Sequence, residues 1–182
     1  CIVDTGGSHS DLTDEYAAVR KEMESVAAYL GKSVLREVDE SEFVKNIADI
    51  RSSCGDRAVL RAMHFYGDNA RVEKQAAALR AGDFKTFMKY IIESGRSSYM
   101  YNQNVYSCKK AAEQPVSLAL SLSEKLLDGC GAWRVHGGGF AGTIQAFVPL
   151  NKLDEYKDLM ERVFGSGSCY VLSVRPVGGV EL

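Results

Sequence analysis

The chain has 182 residues, 46% hydrophobic and 25% charged, with a formal net charge of −2 at pH 7, so it can bury a core without metal or disulfide staples and carries no electrostatic footprint for nucleic acid or an anionic membrane. Its five cysteines, Cys1, Cys54, Cys108, Cys130 and Cys169, are odd in number, widely spaced and without a Cys-x-x-Cys pair, which disfavours zinc or a disulfide framework and suits a reducing cytoplasm. No apolar run approaches membrane-spanning length and no signal peptide is visible, so a cytoplasmic protein is expected.

Residues 1–4 read as an apolar strand. Leu12, Tyr16, Val19, Met23, Val26 and Leu30 then recur at steps of four and three, one face of a helix with Thr13 as its cap, Asp14 and Glu15 suiting its first turn, and Gly31 ending it. A second helix is predicted from Asp39, burying Phe43, Ile47 and Ile50 and stopping at Gly55; a third runs over 56–81 with Gly67 as its weak point. Asp83 caps a short helix burying Phe84, Phe87, Met88 and Ile91, residues 97–107 read as a loop, and Pro115 opens an apolar helix over 116–127 that ends at Gly129.

From there the period changes. Residues 132–136 and 143–148 read as strands, the second alternating through Ile144, Ala146 and Val148. Asn151 caps a helix through Leu153, Tyr156, Leu159 and Val163, and 169–175 is a last strand. The order strand, helices, strand, strand, helix, strand predicts an α+β fold, a ferredoxin-like antiparallel sheet with helices on one face and a multi-helix insertion. No repeat or low-complexity linker divides residues 1–182, so one domain is expected.

The most constrained stretch lies between the two central strands, where Gly137, Gly138, Gly139 and Gly142 surround Phe140 and Ala141. Two readings fit it. It is a glycine-rich hairpin that turns the corner, or a loop whose backbone N–H groups point outward where an anion or another chain segment approaches. The residues 132–142, Ala-Trp-Arg-Val-His-Gly-Gly-Gly-Phe-Ala-Gly, closely resemble the third conserved motif of the sugar-kinase superfamily that includes galactokinase, homoserine kinase, mevalonate kinase and phosphomevalonate kinase. The similarity to galactokinases extends over the whole chain: Cys1-Ile2-Val3-Asp4-Thr5-Gly6 resembles the strand opening their C-terminal half, Glu15-Tyr16-Ala17-Ala18-Val19-Arg20-Lys21-Glu22-Met23-Glu24 the helix that follows, and Arg61-Ala62-Met63-His64, continued by Asp68-Asn69-Ala70-Arg71, a further helix, with Asp68 where the family has Glu.

This resemblance implies a C-terminal domain of a galactokinase, which with ATP and Mg²⁺ phosphorylates the anomeric hydroxyl of galactose. It assigns Tyr16 to the sugar, with Thr5, Gly6 and Gly7 bordering it, and sets Gly137, Gly138, Gly139, Phe140, Ala141 and Gly142 behind the nucleotide's phosphate loop. Tyr16 is equally accounted for as a core aromatic by its periodicity. The sugar-binding segment, phosphate loop and catalytic base of the family are absent: Ser52-Ser53 and Ser97-Ser98, the only adjacent serine pairs, follow no glycine-rich turn that opens an apolar helix. The chain is therefore expected to be part of a longer protein, to contain no catalytic residue and no metal site, and to have as partners galactose, ATP and its own N-terminal domain.

Several other residues invite roles. His136 precedes the glycines and either donates to phosphate or bonds locally. Arg134 reads as structural. Positions 64, 68 and 71 share a helix face, which predicts a buried polar network. The Ser8-His9-Ser10-Asp11 cluster suggests a triad in composition only, since triad members come from separated segments. Residues 93–98 and 104–108 match the family loosely. A kinase for N-acetylgalactosamine or a uronic acid, or a non-catalytic sugar sensor, remain the alternatives.

Overall fold

The computed structural model describes residues 1–7, 12–174, 177 and 179. Strand β1 (Ile2–Asp4) is followed by a long helical passage, then by β2 (Ala132–Val135), β3 (Thr143–Phe147), a further helix and β4 (Cys169–Tyr170). Among the described residues every pairing is antiparallel and the strand order is β2-β3-β1-β4. This is the expected α+β arrangement, a split β-α-β-β-α-β unit whose first crossover has been enlarged by inserted helices.

Register explains where the core lies. Ile144 pairs with both Val3 and Val135, and Ala146 pairs with Trp133, so these side chains share one face of the pleat. That face is buried against α6 (Pro115–Leu127) and α7 (Leu153–Phe164) through Val116, Ala119, Leu127, Tyr156 and Met160. Fully burying one such apolar side chain contributes about 1.5–3 kcal/mol. The insertion comprises α1 (Thr13–Tyr29), α2 (Glu40–Lys45), α3 (Ile47–Cys54), α4 (Asp56–Arg80) and α5 (Phe84–Ser97). It has its own apolar cluster around Val26, Phe43, Ile50 and Ala62. Helix α5 also covers β2, where a Cβ on Gly95 would fall 3.1 Å from the Trp133 carbonyl oxygen.

Several local expectations change. Thr13 is the first residue of α1 rather than its cap; the cap position falls on Leu12, which offers no side-chain hydrogen bond. The helix predicted from Asp39 is two helices broken at Asn46, because that residue's Nδ2 donates back to the Glu42 carbonyl and offers the backbone an alternative to continuing. Asp39 and Asp83 do cap, accepting from the amides of Ser41 and Thr86. Helix α4 runs unbroken through Gly67, where a side chain would press on the Arg71 guanidinium. Phe84 is 64% exposed rather than buried, since it occupies the first turn ahead of the packed stretch of α5. Part of the expected 97–107 loop is wound as a π-helix, Ser98–Asn102, and a 3-10 turn, Cys108–Lys110, follows it. Another 3-10 turn, Leu150–Lys152, replaces the Asn151 cap. The last strand is only Cys169–Tyr170, because β1 pairs with it solely through Ile2 and Val3. Arg175, the expected strand end, and the Ser8-His9-Ser10-Asp11 cluster lie outside the described residues.

Candidate functional site

The turn between β2 and β3 is where the glycines are needed. Gly137, Gly139 and Gly142 have φ of 70°, 83° and 86°, the left-handed region that residues with a Cβ resist. Gly139 is also the point of closest approach: a Cβ there would fall 1.8 Å from the Asn104 carbonyl oxygen. Gly137 and Gly138 are exposed at the tip, whereas Gly139, Phe140, Ala141 and Gly142 are buried. Among the described residues the backbone N–H groups of Gly137 and Gly138 have no hydrogen-bond partner.

Tyr16 reaches this turn from the first turns of α1. Its hydroxyl donates to the Gly139 carbonyl at 2.8 Å across a separation of 123 residues. Its ring meets Phe140 edge to face, with centroids 5.4 Å apart, and Phe140 and Ala141 join Leu12 in a small buried cluster against which Tyr16 and Val19 pack. Partial burial pushes the Tyr16 phenol above its ordinary pKa, so it remains protonated at neutral pH and can donate. The ring thus fills a cluster while the hydroxyl sits at the loop.

Thr5 fixes the other side of the turn. Its amide and its hydroxyl both donate to the Gly142 carbonyl, at 2.9 and 2.6 Å, and Gly7 lies against Ala141, where a Cβ would come within 3.1 Å of the Ala141 Cβ. Two clefts therefore flank the loop. One, of about 700 Å³, has Thr5, Gly6, Gly7, Ser107, Lys109 and Ala141 among its walls; the other, of about 520 Å³, includes Tyr16, Arg20, Arg36, Asn104 and Gly138. Tyr16 and the Thr5-Gly6-Gly7 segment, expected to border one sugar, thus line different clefts on either side of Phe140. Lys109 forms an ion pair with Asp14 at 3.0 Å, and Ser107 donates to the buried Glu15 carboxylate at 2.7 Å, so the 3-10 turn is tied to the start of α1.

Of the remaining candidates, His64, Asp68, Arg71 and Arg134 bond within the fold. His64 contacts Ser97 through Nδ1 at 2.9 Å, Asp68 accepts from Ser94 at 2.6 Å and from Arg71 at 3.0 Å, and Arg134 donates to Ser94 at 2.8 Å. This is the expected polar network, and it includes Arg134. Burial lowers the His64 pKa. Burial pushes the Asp68 carboxyl up, but Ser94, His64, Arg71 and Arg134 together hold it below the usual carboxylate range. Asn69 leaves the network to accept from Arg36. His136 is exposed, and its amide donates to the Thr143 carbonyl at 3.0 Å.

Two features of the site escape sequence reasoning. Asn104 accepts from the Phe140 amide through its carbonyl and donates through Nδ2 to the Gly138 carbonyl at 3.0 Å. Wholly buried Arg61 donates through Nε to the Asn102 carbonyl at 3.0 Å and through Nη1 to Glu22 at 2.9 Å. The only signal for Arg61 was its membership of the resembling Arg-Ala-Met-His stretch; an asparagine in a loop carried none for Asn104.

No family model matches the chain. The chain is similar to the galactokinase of Homo sapiens, 31% identical over 172 residues that cover 94% of this chain and 41% of that protein. It is 35% identical to the galactokinase of Bos taurus over 171 residues, 93% of this chain and 41% of that protein, and 26% identical to that of Mannheimia succiniciproducens over 159 residues, 87% and 39%. The chain therefore spans about two fifths of the length of the curated relatives it matches. Its fold matches the crystal structure of Lactococcus lactis galactokinase complexed with galactose, with a TM-score of 0.65 and 22% identity over 90% of this chain and 40% of that one. No helix among the described residues is long and apolar enough to cross a membrane.

Proposed function

We propose that this chain, a homologue of galactokinases over nearly its whole length, is the C-terminal domain of an enzyme that transfers the γ-phosphoryl group of ATP to the anomeric hydroxyl of galactose. The observation that carries the reading is the contact between Tyr16 and Gly139. Two segments matched independently to galactokinases, far apart in sequence, meet at one hydrogen bond. In phosphoryl transfer the protein mainly positions the reactants and stabilises charge on the moving group. Tyr16 offers the sugar a phenolic hydroxyl held at the loop, and Gly137 and Gly138 present bare backbone on which the phosphate-binding segment of the N-terminal domain packs.

The exposed amides of Gly137 and Gly138 suit a neighbouring anion. Mg²⁺ would be held by the nucleotide phosphates and by the N-terminal domain. The catalytic base belongs to that same domain, and the complete protein works in the cytoplasm.

The test is phosphoryl transfer from radiolabelled ATP by the complete protein, offered galactose, N-acetylgalactosamine and a uronic acid in separate reactions. Galactose 1-phosphate as the dominant product supports the proposal. A dominant product from another sugar replaces galactose, and sugar binding without transfer makes the protein a sensor. Residues 1–182 alone should give no sugar phosphate above blank, because positioning and charge stabilisation supply most of the rate.

A further inference from the structure

Among the described residues only Gln103, at φ 54°, and Phe140, at φ 60°, are non-glycine residues in the left-handed region. Such conformations are costly and persist where surrounding contacts over-determine them. These two adjoin a single contact. Gln103 ends the π-helix Ser98–Asn102 and delivers the chain to Asn104, whose carbonyl accepts from the amide of Phe140 itself. The Asn104 side chain donates to Gly138, so the asparagine grips the loop immediately before and after Gly139, the residue whose carbonyl takes the Tyr16 hydroxyl.

The segment is also anchored from behind. Arg61 donates to the carbonyl of Asn102 and to Glu22, which lies further along the helix that carries Tyr16. A closed circuit thus runs from α1 by hydrogen bonds through Arg61 to Asn102, along the backbone to Asn104, and by hydrogen bonds through the glycine loop back to α1. Asn104 and Arg61 are 5% and 0% exposed, so little water competes for these bonds.

We propose that Asn104 is a positioning residue for phosphoryl transfer: it fixes the glycine loop relative to Tyr16, with Arg61 as its anchor. The inference rests on the kinase reading above for its functional half and on geometry alone for its structural half. Asn104 need touch neither sugar nor nucleotide. It sets the place of the Gly137 and Gly138 amides and of the Tyr16 hydroxyl, and rate depends steeply on such placement.

The experiment compares the complete wild-type protein with Asn104→Ala, reading amide hydrogen exchange and steady-state kinetics on the same preparations. Removing the side-chain bond should speed exchange at Phe140, whose amide is held by Asn104, by about fivefold or more while leaving Ile144 in the adjoining strand unchanged. The kcat, counted per folded molecule from circular dichroism at the assay temperature so that loss of stability does not mimic it, should fall about tenfold with KM for ATP and for galactose changed less than about twofold. Unchanged exchange at the loop overturns the clamp, and faster exchange with wild-type kcat overturns the positioning role. If the wild type transfers no phosphoryl group to any sugar, the kinase reading falls, and the positioning role with it, while exchange still decides the clamp. Should Asn104→Ala fail to fold, Asn104→Asp, equal in size but with an acceptor facing the Gly138 carbonyl, is read by the same criteria.

Discussion

Gly139→Ala confronts the loop with its tightest contact. Two costs combine. The residue sits at φ 83°, which for an L-residue costs roughly 1–2 kcal/mol, partly offset by about 0.5 kcal/mol of reduced freedom in the unfolded chain. The added Cβ would lie 1.8 Å from the Asn104 carbonyl oxygen and 2.8 Å from its Nδ2, so Asn104 must withdraw and both of its bonds to the loop are lost, at about 1 kcal/mol each. The net loss is about 3 kcal/mol. For a chain of this length 1 kcal/mol corresponds to roughly 2–4 °C, so Tm should fall by about 10 °C in thermal unfolding followed by circular dichroism. Gly137→Ala is the internal control, because Gly137 has φ 70° but nothing within 4 Å of its Cβ position. It should lose only the strain part, a shift of about 3 °C. Equal shifts for the two variants, or a fall below about 2 °C for Gly139→Ala, would refute the steric argument.

Three further outcomes are expected. In the complete protein, Gly138→Val should lower kcat/KM for ATP on the order of 10²-fold while shifting Tm by only a few degrees, because the branch strikes the Tyr16 ring 2.7 Å away at an exposed turn rather than in a core; near-native ATP kinetics would leave the loop an ordinary hairpin. Tyr16→Phe keeps the ring against Phe140 but loses the bond to Gly139, so kcat/KM for galactose should drop by roughly a few-fold to tenfold, and unchanged kinetics would reduce Tyr16 to a packing residue. Burial holds the His64 pKa below its unfolded value of about 6.5, so below that pH the unfolded state binds more protons and stability falls. Tm measured from pH 8 to pH 5 should decline below about pH 6.5 and decline less in His64→Gln; parallel curves would show that His64 does not carry the dependence.

The element order and its punctuation were legible because they rest on neighbours along the chain. Periodicity marked α1 and α7, helical propensity α4 and an apolar run after Pro115 α6, and glycines with positive φ at 31, 55 and 129 do end helices. The switch to alternation at Ala132 marked the sheet, and the strand and helix order was sufficient for its class. The grouping of His64, Asp68 and Arg71 followed from helical spacing alone. Local competition was harder to weigh: whether Asn46 continues a helix or bonds back to Glu42 depends on a balance of about 1 kcal/mol.

The site itself belongs to tertiary structure. Residue types and family likeness singled out Tyr16 and the run from Gly137 to Gly142, but no spacing rule could bring a hydroxyl on α1 to a carbonyl 123 residues later. That meeting requires the antiparallel register that buries Ile144 and Val135 and leaves Gly137 and Gly138 exposed at the turn. The same packing separates Thr5 from Tyr16 across Phe140 and recruits Asn104, whose type signalled nothing. The sequence by itself determined which segments coil, extend or turn, because those preferences are local. Which turn meets which helix, and which asparagine grips the loop, was decided only when the sheet and the insertion packed together, because such contacts exist only once distant segments share a core.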